Sequence, residues 1–158
     1  MRAQSAWLRR VLILIIAVAA GWLVLEGSNG DPPAAIDAAS VGQVSLGRVI
    51  YSQQCASCHG ANLEGQPNWR ERQANGRLPA PPHDASGHTW HHSDQQLFEI
   101  TKEGIGKFAG PNYQTDMPRF AETLSDDEVR AVLAFIKSTW PARERAIQER
   151  TTDQSVQP

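Results

Sequence analysis

The sequence Cys55-Ala-Ser-Cys58-His59 constrains this chain more than any other stretch, because it contains both cysteines of the 158 residues. The spacing C-x-x-C-H is the attachment pattern of a c-type haem. In this interpretation the sulfurs of Cys55 and Cys58 form thioethers with the haem vinyl groups, and the His59 imidazole is an axial iron ligand. No cysteine remains for a structural disulfide.

Two other kinds of site contain a C-x-x-C pair. A thioredoxin-like redox pair lies in a βαβ context and needs no histidine directly after the second cysteine. A zinc site requires four ligands, usually with a second C-x-x-C or H-x-H cluster at a fixed spacing. The sequence context therefore favours haem attachment over a redox pair or a zinc site.

The amino terminus contains an apolar run, residues 11–25, that follows Arg2, Arg9 and Arg10. The positive flank should stay in the cytoplasm while the rest is exported. At about 1.5 Å per residue the run is shorter than a bilayer core of about 30 Å, so its length fits either an anchor or a signal peptide. Because Ser28-Asn29-Gly30 is a poor cleavage site, we expect one uncleaved transmembrane helix in the cytoplasmic membrane, with the domain on the periplasmic side.

Composition divides the chain into four segments: an anchor or signal, a flexible Pro- and Ala-rich linker, a helical domain and a polar tail of alternating charges. Their predicted bounds are 1–26, 27–43, 44–141 and 142–158. Within the tail, residues 142–150 should form an exposed helical extension, and residues 151–158 should be disordered.

The distribution of charge along the chain argues against nucleic acid as a partner. Three of the 15 Lys and Arg residues and one of the 17 Asp and Glu residues lie within the first 30 positions, so the remainder has four more acidic than basic side chains. No basic stripe indicates nucleic-acid binding, and the acidic excess favours a partner with a positive docking face.

Three helices are predicted in the domain, and no segment alternates convincingly at period two, so the fold class is all-α. The first helix begins at about Val44, with Ser45 as a candidate N-cap, and runs into Cys55. The second and third helices each follow a capping box, Ser93-x-x-Gln96 and Ser125-x-x-Glu128.

Met117 is the only methionine besides the initiator, and it stands in the sequence Met117-Pro118-Arg119-Phe120. A thioether is a soft, neutral ligand that favours ferrous iron and raises the reduction potential. The ordinary alternative is a core methionine that fills a gap. A proline-stiffened loop without helical periodicity favours Met117 as the second axial ligand.

These motifs together resemble the class I c-type cytochromes, the mono-haem electron carriers of bacteria and mitochondria. The resemblance covers about residues 44 to 140 and rests on C-x-x-C-H, a helix, M-P-x-F and a capped last helix. It implies a cytochrome c-like fold of three main helices around one covalent haem c, with Gly47 packed against Phe135. It also implies that a proline carbonyl orients His59. The candidates are Pro79, Pro81 and Pro82.

The segment from residue 62 to 92 departs from the minimal pattern of that family, since it contains four histidines: His83, His88, His91 and His92. The last three could bind copper or another transition metal. Alternatively, one of them could replace Met117 and give a bis-histidine haem of lower potential. The favoured interpretation is a solvated loop in which Trp90 covers a haem edge.

The resemblance implies an electron carrier rather than an enzyme, because His59 and Met117 would occupy both faces of the iron and leave no position for a substrate. The expected partners are redox proteins in or at the membrane, with no nucleic acid and no small-molecule substrate. Two alternatives are a haem subunit of a larger membrane oxidoreductase and a metal-handling or gas-sensing haem protein that uses the histidine-rich loop.

Overall fold

The computed structural model describes residues 35–110 and 112–156, and every regular element within these ranges is helical. The α-helices, numbered in chain order, are α1 (Val41–Gln54), α2 (Ala56–His59), α3 (Asp94–Glu103), α4 (Gly106–Ala109), α5 (Asp126–Ser138) and α6 (Ala142–Val156). A 3-10 turn, Thr89–His91, precedes α3. The predicted all-α class is confirmed for the described part of the chain.

The predicted membrane anchor, residues 1–26, lies outside the described residues, as does the first part of the predicted linker. Among the residues that are described, no helix is long and apolar enough to cross a membrane. The expectation of an N-terminal span therefore rests on the sequence.

Helix α1 begins earlier than its apolar pattern predicted. Its N-cap is Ser40, whose hydroxyl oxygen accepts a hydrogen bond from the Gln43 backbone N–H at 3.3 Å. The proposed N-cap at Ser45 is wrong, because that residue lies inside the helix. The apolar pattern did not include the first turn because Val41 is 80% exposed. The N-cap hydrogen bond, and not burial, therefore defines the start of the helix.

The centre of the core is the crossing of α1 and α5 at Gly47. A Cβ atom at this position would lie 1.9 Å from the Ala131 carbonyl oxygen and 2.9 Å from the Phe135 Cβ atom, so only glycine permits the approach. Beside the crossing, the rings of Tyr51 and Phe135 pack with 5.4 Å between their centroids. The predicted contact of Gly47 with Phe135 is confirmed.

Helices α3 and α5 begin at the two predicted caps. The Ser93 hydroxyl oxygen accepts from the Gln96 N–H at 3.2 Å, and the Ser125 hydroxyl oxygen accepts from the Glu128 N–H at 3.3 Å. The Glu128 carboxylate accepts in return from the Ser125 N–H at 2.8 Å, which completes the second box. This backbone hydrogen bond, followed by that from the Ser125 hydroxyl, lowers the pKa of Glu128.

The polar tail forms a helix that packs on the domain. Helix α6 continues to Val156, so the disorder predicted for the end of the tail is wrong up to that residue. Gln148 is completely buried, and its Nε2 donates to the His92 carbonyl oxygen at 3.3 Å and to the Asp94 carboxylate at 2.7 Å. The alternating charges predicted an exposed helix. The sequence did not indicate this contact because the residues that α6 buries, Gln148 and Glu144, are polar.

We expect Gln148→Ala to lower the free energy of unfolding by about 2 kcal/mol, because Asp94 and the His92 carbonyl would lose a buried donor. Urea denaturation followed by circular dichroism measures the change. Glu149→Ala is the matched control, since this neighbour is exposed on the same helix and should change stability by no more than about 0.5 kcal/mol. Equal stabilities of the two variants would refute a structural role for α6.

Candidate functional site

The C-x-x-C-H motif occupies the junction of α1 and α2. Cys55 is the C-cap of α1, and His59 is the last residue of α2. The His59 backbone N–H donates to the Cys55 carbonyl oxygen at 2.9 Å, so the motif folds as one helical turn. Both thiols are free, with Cys58 exposed and Cys55 partly buried. Burial, with a smaller contribution from Cys58, raises the pKa of the Cys55 thiol to about 11.

The His59 imidazole is buried, with only 8% of the residue exposed, and its Nδ1 lies 2.8 Å from the Pro81 carbonyl oxygen. A carbonyl can only accept, so Nδ1 carries the proton and Nε2 is the nitrogen left for a metal. Burial lowers the pKa of His59, and the hydrogen bond to Pro81 partly opposes that effect. Of the three candidate prolines, Pro81 is the one that orients this ring.

A close backbone approach at Gly65 brings Pro81 to His59. Gly65 has a positive φ of 69°, and a Cβ atom there would lie 2.4 Å from the Pro82 nitrogen. The Gly65 N–H donates to the His59 carbonyl oxygen at 2.8 Å, which holds this turn against the motif. The segment after α2 is therefore folded back so that a residue distant in sequence reaches the imidazole.

His83 lies flat against His59, a contact that the sequence analysis did not predict. Their ring centroids are 3.9 Å apart, with 21° between the ring planes. Burial, followed by the charge of His59, lowers the pKa of His83 well below its ordinary value. The one sequence signal for this contact was the position of His83, two residues after Pro81. That position became informative only when the structure showed that Pro81 contacts His59.

Met117 lies in the non-helical segment between α4 and α5, and it packs partly buried against the same hydrophobic core as Cys55. Its backbone N–H donates to the Thr115 hydroxyl oxygen at 3.0 Å. The adjacent Asp116 forms an ion pair with Arg77 of the long loop, which joins the two segments beside Met117. The loop position agrees with the sequence analysis, and ligation by Met117 stays a prediction.

The family model for Cytochrome c matches residues 44–140, which is more than half of the chain. The chain belongs to the cytochrome c family. Membership implies a covalently bound haem c and haem-based electron transfer, and members of this family generally act as electron carriers rather than as enzymes. No curated protein and no solved structure matches this cytochrome at a significant level.

The residues of this cytochrome fit a covalent haem. Cys55 and Cys58 provide free thiols on one turn, and His59 leaves Nε2 for iron. In addition, the buried Trp90 Nε1 has no hydrogen-bond partner among the described residues. A buried indole N–H usually donates to a polar group, so this orphan donor is consistent with a polar substituent of a bound macrocycle.

The three remaining histidines of the loop, His88, His91 and His92, each contact another aromatic ring, in two separate groups. His88 stacks on Trp69 at 5.2 Å between centroids and meets His92 edge-on at 5.4 Å, while His91 stacks on Trp90 at 3.7 Å. Within residues 35–110 and 112–156, no three His, Cys, Asp or Glu side chains are grouped so that they could hold a metal ion. The geometry gives no support to a second metal site in this loop.

Proposed function

We propose that this cytochrome is a membrane-tethered, mono-haem electron carrier of the class I type, with His59 and Met117 as the axial iron ligands. Cys55 and Cys58 hold the macrocycle through thioether bonds. The observation that carries the proposal is the setting of the His59 ring, which is buried, with its Nδ1 hydrogen-bonded to the Pro81 carbonyl and its Nε2 left for iron.

The chemistry that the bound haem supplies is one-electron exchange between ferric and ferrous iron. The Pro81 carbonyl fixes the tautomer of His59 and increases the basicity of the ligating nitrogen. The Met117 thioether is neutral and soft, so it favours the ferrous state and raises the reduction potential. With His59 and Met117 both holding the iron, the haem would exchange electrons without binding a substrate.

The proposal includes a membrane tether and protein partners. The apolar run of residues 11–25 after three arginines supports one membrane span, with the haem domain on the periplasmic side. The partners are then redox proteins in or at the same membrane, and their encounters with the cytochrome are small and short-lived. The acidic excess beyond residue 30 supports partners with a positive docking face.

Haem staining of fractionated cells tests attachment and tethering together. In a host that matures c-type cytochromes, we expect the full chain to carry haem-dependent peroxidase stain through a denaturing gel, in the membrane fraction. A cleavable export signal in place of residues 1–34 should move the stained band to the soluble periplasm. Cys55→Ser/Cys58→Ser should abolish the stain, because no thioether then holds the haem during denaturation.

The two parts of the proposal fail separately in this experiment. Persistent stain in Cys55→Ser/Cys58→Ser would refute covalent attachment at the motif. A stained full chain in the soluble fraction would refute the tether and leave the electron-transfer assignment standing.

A further inference from the structure

We propose that His83 is a positioning residue that fixes the plane of the His59 imidazole. The inference rests on the proposed ligation of iron by His59. The two rings stack with 3.9 Å between centroids and 21° between planes, which is a face-to-face contact. The Pro81 hydrogen bond restrains the His59 ring at its edge, through Nδ1, and the His83 ring restrains it at its face.

His83 is itself held firmly enough for this role. Its Nδ1 lies 2.8 Å from the Thr89 hydroxyl oxygen, and that hydroxyl donates to the Pro82 carbonyl oxygen at 3.4 Å. The Thr89 hydroxyl therefore holds the edge of the His83 ring at Nδ1. Thr89 is buried, with 5% exposed, so this bond is sheltered from water.

The backbone of His83 is fixed on both sides. Its N–H donates to the Leu63 carbonyl oxygen at 2.8 Å, and its own carbonyl oxygen accepts from the Trp140 Nε1 at 2.7 Å. Trp140 is only 1% exposed and follows the end of α5, while the Tyr51 ring of α1 meets His83 edge-on at 6.3 Å. His83 thus connects the His59 imidazole to α1 through its ring and to Trp140, just after α5, through its backbone carbonyl.

A flat aromatic ring is the property that matters, because an aliphatic side chain of similar bulk fills space without defining a plane. We therefore expect His83→Leu to let the His59 ring turn and His83→Phe to retain its orientation. The plane of an axial imidazole directs the unpaired spin of ferric haem toward particular methyl groups. Proton NMR of the haem methyls in the oxidised holoprotein therefore reports the orientation directly.

The expected result is a shift and reordering of the haem-methyl resonances in His83→Leu, with the wild-type order largely restored in His83→Phe. His88→Leu is the matched control, since His88 belongs to the same loop but stacks on Trp69, and it should leave the resonances unchanged. Thr89→Val removes the hydrogen bond to His83 and should produce a smaller shift in the same direction as His83→Leu.

Unchanged methyl resonances in a low-spin ferric His83→Leu protein would overturn the positioning role alone. Equal shifts in His83→Leu and His88→Leu would overturn it as well, because the effect would then belong to the loop in general. A ferric wild-type protein without low-spin lines would overturn ligation by His59 and Met117 and this inference with it.

Discussion

Gly47→Ala is expected to lower the free energy of unfolding by about 3 kcal/mol or more, the upper range for overpacking a well-filled core. The new methyl group would lie 1.9 Å from the backbone carbonyl oxygen of Ala131. Neither backbone can rotate away as a side chain does, so α1 and α5 must separate. That separation would also loosen the packing of Tyr51 against Phe135.

Gly42→Ala is the matched control for this substitution. Gly42 lies on the same helix, and no atom lies within 4 Å of the position that its Cβ would take. Alanine favours a helix over glycine by up to about 1 kcal/mol, so the control should be unchanged or more stable. Urea denaturation of the holoproteins measures both variants. A Gly47→Ala protein as stable as Gly42→Ala would contradict the close crossing of the two helices.

Most of the features that the sequence predicted correctly depend on residues that are close together in the chain. A capping box involves residues three apart, so Ser93 and Ser125 mark the starts of α3 and α5 without knowledge of the fold. The C-x-x-C-H motif likewise needs only one helical turn. The contact of Gly47 with Phe135 joins distant segments, and it was predicted because the family resemblance supplied it.

The features that the sequence did not predict depend on tertiary contacts. Three prolines near the loop centre were equivalent in sequence, and only the turn at Gly65 selects Pro81 as the partner of His59. The sequence did not predict the burial of Gln148 either. A polar side chain adds nothing to an apolar periodicity, and its hydrogen-bond partners lie more than fifty positions away. The stacking of His83 follows from that same turn, so its position two residues after Pro81 did not predict the contact.

Met117→Leu is expected to remove the second axial ligand while it keeps the fold. Met117 is partly buried against the core, and a volume-conserving exchange of this kind usually costs less than about 1.5 kcal/mol. The ferric protein should lose its sulfur-to-iron charge-transfer band, and the ferrous protein should gain the ability to bind carbon monoxide. The reduction potential should fall by a few tenths of a volt, a substantial part of the roughly 0.8 V range that axial ligands set.

Optical spectra of the oxidised and reduced holoproteins, with a redox titration, separate ligation from packing at Met117. Leucine fills the same space as methionine but has no sulfur, so a role in packing alone predicts unchanged spectra and an unchanged potential. The combined variant His88→Ala, His91→Ala and His92→Ala is the control for a bis-histidine haem and should retain the wild-type band. If the band survives in Met117→Leu, the sixth ligand is a different residue, and the closed high-potential site proposed for this cytochrome is wrong.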